Sequence, residues 1–211
     1  MDLHNIRESY NFDSLDIDKV NRDPLIQFKT WFEQYKSLAV KDYNAMVVST
    51  VHDNLPENRI VLLKEIRENG LVFFTNYQSA KGKALAANPN ISALFFWREQ
   101  ERQVRVSGQV VKIPPFESKQ YFATRPYLSQ IGAAASEQSE PIASREALEE
   151  KFNAFTSKFP EGSTVPMPDE WGGYLIQPTK FEFWQGREGR LHDRLVFSLE
   201  SNDWLIQRIQ P

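Results

Sequence analysis

The chain has 211 residues, a net charge of −3 and a pI near 5.7. That length suits one domain with a sizeable core, and the mild acidity speaks against a nucleic-acid or anionic-membrane partner over the whole surface, so anion binding must come from local clusters. With no cysteine, disulfides, thiolate catalysis and cysteine-ligated zinc are excluded.

The first residues carry no charged-then-apolar leader pattern, and no run approaches the roughly 18 apolar residues of a membrane span. A soluble, cytoplasmic protein is the expectation. Residues 1–22 read as an extended polar arm with an R-x-x-Y pair, Arg7 and Tyr10, expected to be a mobile cover; residues 23–211 read as one domain. Asp23-Pro24 gives an N-cap and a proline at the first helical position. Phe28, Trp31, Phe32, Tyr35 and Leu38 then follow at helical spacing, to an end near Val40.

From Ala45 the pattern turns to β. Ala45–Val51, Arg59–Lys64, Leu71–Asn76, Ile91–Trp97 and Arg102–Lys112 read as strands, with turns at His52-Asp53-Asn54 and Asn69-Gly70 and a polar hairpin loop at 98–101. A short helix capped by Ser79 interrupts them. Five strands in about seventy residues with short links suit an antiparallel barrel or sandwich. Pro114-Pro115 opens a helix through Phe122, closed by Arg125-Pro126, and residues 127–141 read as a structured loop with at most one helical turn. Ser144 caps a long helix with Leu148, Phe152, Phe155 and Phe159 on one face. The last strands read as Tyr174–Gln177, Phe181–Gln185, Leu195–Leu199 and Trp204–Ile209. The class is α+β, mainly antiparallel β, built on a barrel with flanking helices.

Three scattered histidines in no H-x-x-x-H or H-E-x-x-H pattern make a metal site improbable. No G-x-S-x-G, P-loop or G-x-G-x-x-G is present. What remains is a series of basic and hydroxyl groupings. Arg59 and Lys64 bracket an apolar strand on opposite faces by period two, either serving two neighbouring anions or finishing a buried strand. Thr75 and Lys81, near a helix start, would suit a phosphate, or Lys81 is simply solvated. Tyr121, Arg125 and Ser129 recur every four residues and would converge on one anion if the helical turn continued through Pro126, which opposes it. Gln138-Ser139 is polar loop, and Trp184 is either core or ligand wall. Near the end, Arg187, Arg190, His192 and Arg194 crowd one turn.

Taken in order, Arg59-Ile60-Val61-Leu62-Leu63-Lys64, Phe74-Thr75-Asn76, Glu101-Arg102-Gln103-Val104, Tyr121-Phe122 with Arg125-Pro126 and Ser129-Gln130-Ile131-Gly132, Gln138-Ser139, Trp171-Gly172-Gly173, Glu182-Phe183-Trp184-Gln185-Gly186 and Arg190-Leu191-His192-Asp193-Arg194 resemble the pyridoxine (pyridoxamine) 5′-phosphate oxidase family over nearly the whole chain. The resemblance implies a flavin mononucleotide (FMN) binding split barrel, a homodimer with FMN between subunits, and oxidation of pyridoxamine or pyridoxine 5′-phosphate to pyridoxal 5′-phosphate, O2 being converted to H2O2. By resemblance Arg59, Ile60, Val61, Leu62, Leu63, Lys64, Phe74, Thr75, Lys81, Gln103, Gln138, Ser139, Trp184 and Arg194 fall at FMN positions. Lys64, Tyr121, Arg125 and Ser129 match the grip on the substrate phosphate. Arg190 and His192, with Leu191 between them, match the wall over the substrate ring and the catalytic pair, and Arg7 with Tyr10 match the covering arm. On this reading Arg190 positions substrate, and His192 accepts a hydrogen bond or keeps the substrate in its reactive protonation state. The chain departs from the family at Ala80-Lys81, where relatives commonly carry Arg-Lys, so one flavin-phosphate contact is expected to be missing. The alternative is a non-catalytic split-barrel protein that binds flavin or pyridoxal phosphate.

Overall fold

The structure, a computed structural model, describes residues 1–5 and 8–211. Nine antiparallel strands form one sheet that does not close: β1 (Ala45–His52), β2 (Leu55–Leu62), β3 (Glu65–Arg67), β4 (Gly70–Asn76), β5 (Asn90–Trp97), β6 (Arg102–Lys112), β7 (Trp171–Gln185), β8 (Asp193–Glu200) and β9 (Asp203–Arg208). The order is β2-β1-β5-β6-β7-β4-β3, with β8 on β7 and β9 on β8. Five helices flank it: α1 (Pro24–Lys36), α2 (Ala80–Ala87), α3 (Pro115–Thr124), α4 (Tyr127–Ala135) and α5 (Arg145–Lys158). Among the described residues no helix is long and apolar enough to cross a membrane.

Local chemistry explains most boundaries. The Asp23 carboxylate accepts from the Leu25 and Ile26 amides and Pro24 opens α1, so Phe28, Trp31, Phe32 and Tyr35 lie buried against Phe95, Trp97, Phe181 and Phe183. Each such side chain contributes roughly 1.5–3 kcal/mol. Helix α1 stops at Lys36, short of the expected Val40, because Ala39 takes a left-handed φ of 54°; Leu38 is therefore exposed. Asp53 and Asn54, both at positive φ, make the two-residue turn that pairs His52 with Leu55 and starts β2 four residues early.

Two expectations are corrected. The presumed loop at 127–141 holds α4, nine residues long. Pro126 suits a helix start, the run through Ala135 favours helix, and Ile131 and Ala135 are buried one turn apart. Only two buried positions left the sequence with little periodicity to read. The two strands expected at 174–185 are one, β7, which pairs with β6 along its length, with β4 through residues 171–176 and with β8 through 180–185. Pro178, which has no N–H to donate, sits at the bulge opposite Gly108. A Cβ on Gly108 would lie 2.0 Å from the Gln177 carbonyl oxygen, so that close crossing needs glycine.

Candidate functional site

A cavity of about 1000 Å³ opens between β2, β4, the start of α2 and the α3–α4 corner. Arg59, Ile60, Val61, Leu62, Lys64, Phe74, Thr75, Lys81, Tyr121, Arg125, Ser129, Gln138 and Ser139, read from five separate stretches of the chain as site residues, all line it. Leu63 does not: its side chain is buried in the main core. Strand β2 ends at Leu62 and the Lys64 amide turns to the Val72 carbonyl, so period-two alternation stops before Lys64. Arg59 and Lys64 thereby face one cavity and not two. Helix α3 does end at Arg125, which is extended at ψ 149°, and α4 starts anew after Pro126. The corner still brings Tyr121, Arg125 and Ser129 to the same wall, by a break and not by a continued turn.

The cations form two pairs. Lys81, with 7% of its surface exposed, donates to Thr75 Oγ1 at 2.9 Å, Ser79 Oγ at 3.1 Å and Gln138 Oε1 at 3.2 Å. Burial, and then the Arg59 charge, push its ammonium down to about 8. Arg59 donates to Thr50 Oγ1 at 2.7 Å and pairs with the exposed Glu57 at 2.9 Å. Burial and the Arg125 charge likewise hold Lys64 below the ordinary lysine range. The Arg125 guanidinium, with Nη1 buried and without a hydrogen-bond partner, is also held low, by burial. Among the described residues no carboxylate pairs with Lys64, Lys81 or Arg125. Lys81 is a buried charge without a counter-ion, which is costly, and Lys64 and half-buried Arg125 stand together without one, so each pair fits an anion that the chain itself does not supply. The donors converging on Gln138 Oε1 (Lys81, Thr75 and the Asn76 amide) mark where an oxyanion would sit.

The remaining candidates lie elsewhere. Gln103, Trp184 and Arg194 line a second cavity of about 200 Å³ with Arg105, Glu182 and Pro211. Arg194 donates to Glu182 at 2.9 Å and to the Gln210 carbonyl at 2.9 Å. Beside it His192 tilts over Trp184 at 4.6 Å, and Tyr10 meets both rings edge-on at 5.6 and 5.8 Å. The Arg187 amide donates to His192 Nδ1 at 3.1 Å, so the neutral ring carries its proton on Nε2 and presents a donor. Burial and Arg190 lower the His192 pKa, favouring that neutral form. The Nδ1 acceptor of His192 is therefore taken within the chain, and the neutral ring offers a donor where an acceptor was one of the two roles expected. Arg190 and Leu191 are exposed, Arg190 at a left-handed φ of 63°. Arg7 lies outside the described residues. The arm is docked from Phe12 to Leu15: Phe12 binds Glu101, Asp13 pairs with buried Arg102 at 2.8 Å, and Leu15 is in the core.

A sequence model described as pyridoxamine 5′-phosphate oxidase matches residues 33–159, and one described as the pyridoxine 5′-phosphate oxidase C-terminal dimerisation region matches residues 171–211. The chain belongs to the pyridoxamine 5′-phosphate oxidase family. Within that family it is 47% identical to the pyridoxine/pyridoxamine 5′-phosphate oxidase of Haemophilus ducreyi, with all of both chains covered, and 46% identical to that of Leptospira interrogans, over 99% of this chain and 98% of the relative. Of solved structures, PhzG from Burkholderia lata 383, in complex with tetrahydrophenazine-1-carboxylic acid, superposes with a TM-score of 0.88 at 28% identity, covering 94% of this chain and 98% of its own. A pyridoxamine 5′-phosphate oxidase-related, FMN binding protein from Nostoc punctiforme shares the fold, with a TM-score of 0.73 at 14% identity over 91% and 100%.

Sequence reasoning gave no role to Trp171, Asn76 or Thr124, which also line the large cavity, or to Glu182, buried between Arg105 and Arg194. A lone carboxylate in an aromatic strand was the available signal for Glu182.

Proposed function

We propose that the protein is an FMN-dependent oxidase that converts pyridoxamine 5′-phosphate and pyridoxine 5′-phosphate to pyridoxal 5′-phosphate, with O2 as acceptor, H2O2 as product and NH3 released from the amine. The observation that carries the proposal is the pairing of cations in one cavity, Arg59 with Lys81 and Lys64 with Arg125, three of the four without a counter-ion among the described residues. Two phosphorylated ligands side by side need two such grips. A protein that only carried flavin would have no use for the second, and the full-length relatives named as oxidases support the catalytic reading.

On this reading Lys81, Arg59, Thr75, Gln138 and Ser139 hold the FMN phosphate, and Lys64, Tyr121, Arg125 and Ser129 hold the substrate phosphate. When bound, FMN supplies the two-electron acceptor and returns the electrons to O2. The chain's task is placement, because transfer from the substrate's C4′ carbon needs the rings stacked at about 3–3.5 Å. Trp171 and Trp184 stand at opposite ends of β7, about 40 Å of strand apart. Trp171 lines the large cavity and Trp184 the small one, so Gln103, Trp184, Arg190, Leu191, His192 and Arg194 of the partner subunit would complete the site in a homodimer, as a C-terminal dimerisation region would allow. Arg190 would orient the substrate, and His192 would donate from Nε2 to it. Tyr10, packed on Trp184 and His192, and Arg7 would cover it. Soluble phosphorylated substrates suit a cytoplasmic enzyme.

The test is direct. Purified protein should be yellow, dimeric by sedimentation, and should consume O2 and release H2O2 with pyridoxamine 5′-phosphate. Colourless protein that gains no activity with added FMN would refute the proposal.

A further inference from the structure

Trp171-Gly172-Gly173 is a motif without a role in the reaction outlined above, and its geometry supplies one. Arg125 makes no side-chain hydrogen bond or ion pair among the described residues, and its guanidinium lies over two aromatic faces, Trp171 at 4.8 Å and Phe122 at 5.5 Å. The other part-buried arginines are handled differently. Arg59, Arg67, Arg102 and Arg194 each have a carboxylate within 2.9 Å. Arg102 also sits over a ring, Trp31 at 4.2 Å, yet keeps Asp13 as well.

We infer that Trp171 is a positioning residue whose indole face holds Arg125 in place of a carboxylate, leaving its guanidinium N–H groups and its charge for a ligand oxyanion beside Lys64. A carboxylate would fix the arginine equally well, but it would neutralise the charge and occupy the N–H fork. An aromatic face attracts the cation through its quadrupole and takes no N–H.

The indole is itself fixed. Phe74 stacks nearly parallel to it at 5.2 Å and 12°, Tyr121 at 6.2 Å and 10°, and Phe122 meets it edge-on at 5.0 Å and 72°. The two glycines make that stack fit. A Cβ on Gly172 would lie 2.2 Å from the Tyr77 hydroxyl, and one on Gly173 would lie 2.5 Å from Ile113 and 2.9 Å from Phe74. A larger residue at 173 would force Ile113 and Phe74, the ring stacked on the indole, to give way, and one at 172 would displace the Tyr77 hydroxyl.

The inference rests on the proposed function only in naming the phosphate carrier. FMN-loaded protein is titrated calorimetrically with pyridoxal 5′-phosphate and, separately, with pyridoxal, and FMN content is recorded. Trp171→Leu should weaken pyridoxal 5′-phosphate binding about tenfold, with pyridoxal affinity and FMN content within about twofold of wild type; Trp171→Phe, with a weaker ring, should give about a two- to threefold loss on the phosphorylated ligand alone. Should Trp171→Leu fail to fold, the Phe variant is read on the same ratio of affinities. Equal losses on both ligands would mean that Trp171 only packs, and an unchanged ratio would mean that Arg125 needs no aromatic support; either overturns the inference. Wild-type protein that binds pyridoxal 5′-phosphate and oxidises neither substrate would sink the proposed oxidase while the ratio still decided the role of Trp171. Wild-type protein that does not bind it would sink both.

Discussion

Lys81 offers the sharpest test of the cavity. It is a buried cation whose contacts are two hydroxyls and an amide oxygen, and its pKa stands at about 8 against an ordinary 10.5. At 1.36 kcal/mol per unit, its charged form at neutral pH costs the ligand-free fold about 3 kcal/mol. The folded pKa is lowered, so between about pH 8 and 10.5 the unfolded chain binds more protons and stability rises with pH. The cost is fully present below about pH 8. An anion at the site reverses this by favouring the ammonium, so its binding takes up a proton above about pH 8 and weakens as pH rises. Lys81→Met keeps the length and removes the charge. Ligand-free protein should then melt at the same temperature or higher, while the FMN dissociation constant, read by quenching of flavin fluorescence, should rise about ten- to hundredfold, the worth of a charge-assisted hydrogen bond of roughly 1.5–3 kcal/mol. The variant should also lack the decline in affinity between pH 8 and 9.5 that the Lys81 pKa predicts for wild type. A variant that is less stable when empty and equally tight for FMN would refute the reasoning.

Other outcomes follow from the same contacts. Arg59→Ala should lower FMN content more than turnover per bound flavin, and Arg190→Ala the reverse; matched losses in absorbance-normalised assays would contradict the division of roles. His192, held low by burial and by Arg190, should titrate by NMR below the usual 6.5 and move up toward it in Arg190→Ala, and an unmoved resonance would show that Arg190 does not reach the ring. Since a lowered histidine pKa disfavours the protonated fold, the His192 contribution to stability should fall as pH drops through the window below 6.5. Asp13→Ala strips buried Arg102 of its only carboxylate and should cost about 1–3 kcal/mol in urea unfolding; no change would mean that Gln34, Gln100 and Gln185 suffice.

Most of the fold was legible because its signals are local. Asp23-Pro24, Ser79 and Ser144 cap the helices they were expected to cap, and alternation located eight of the nine strands in whole or in part. Three-residue β3 carries too few positions to alternate. The unity of β7 was hidden because Pro178 reads as a break, and only its opposition to Gly108 shows it to be a bulge. In the candidate site, spacing alone did not show which residues would line one cavity. Period two separated Arg59 from Lys64, and Pro126 seemed to part Arg125 from Ser129, yet a strand end in one case and a helix corner in the other bring them together. The tautomer of His192 depends on a backbone amide five residues away in sequence, which no pattern predicts.

The arm illustrates how counter-ions separate structural cations from ligand-binding ones. Arg102 is almost wholly buried, and its carboxylate is Asp13, which belongs to the arm; Arg208 likewise donates to the Leu15 carbonyl at 2.8 Å while pairing with Asp193. Both charges are satisfied inside the chain, so releasing residues 13–15 would take the carboxylate from a buried guanidinium, at a cost of about 1–3 kcal/mol. The contacts of Phe12, Asp13 and Leu15 thus tie this part of the arm to the domain. Arg194 falls on the same structural side, since Glu182 and the Gln210 carbonyl already hold it. It shares the Glu182 carboxylate with Arg105, which leaves one carboxylate between two guanidinium groups and so a net positive charge at that cavity. Lys64, Lys81 and Arg125 have no such sharing to do, and their charge is available only to what enters from outside.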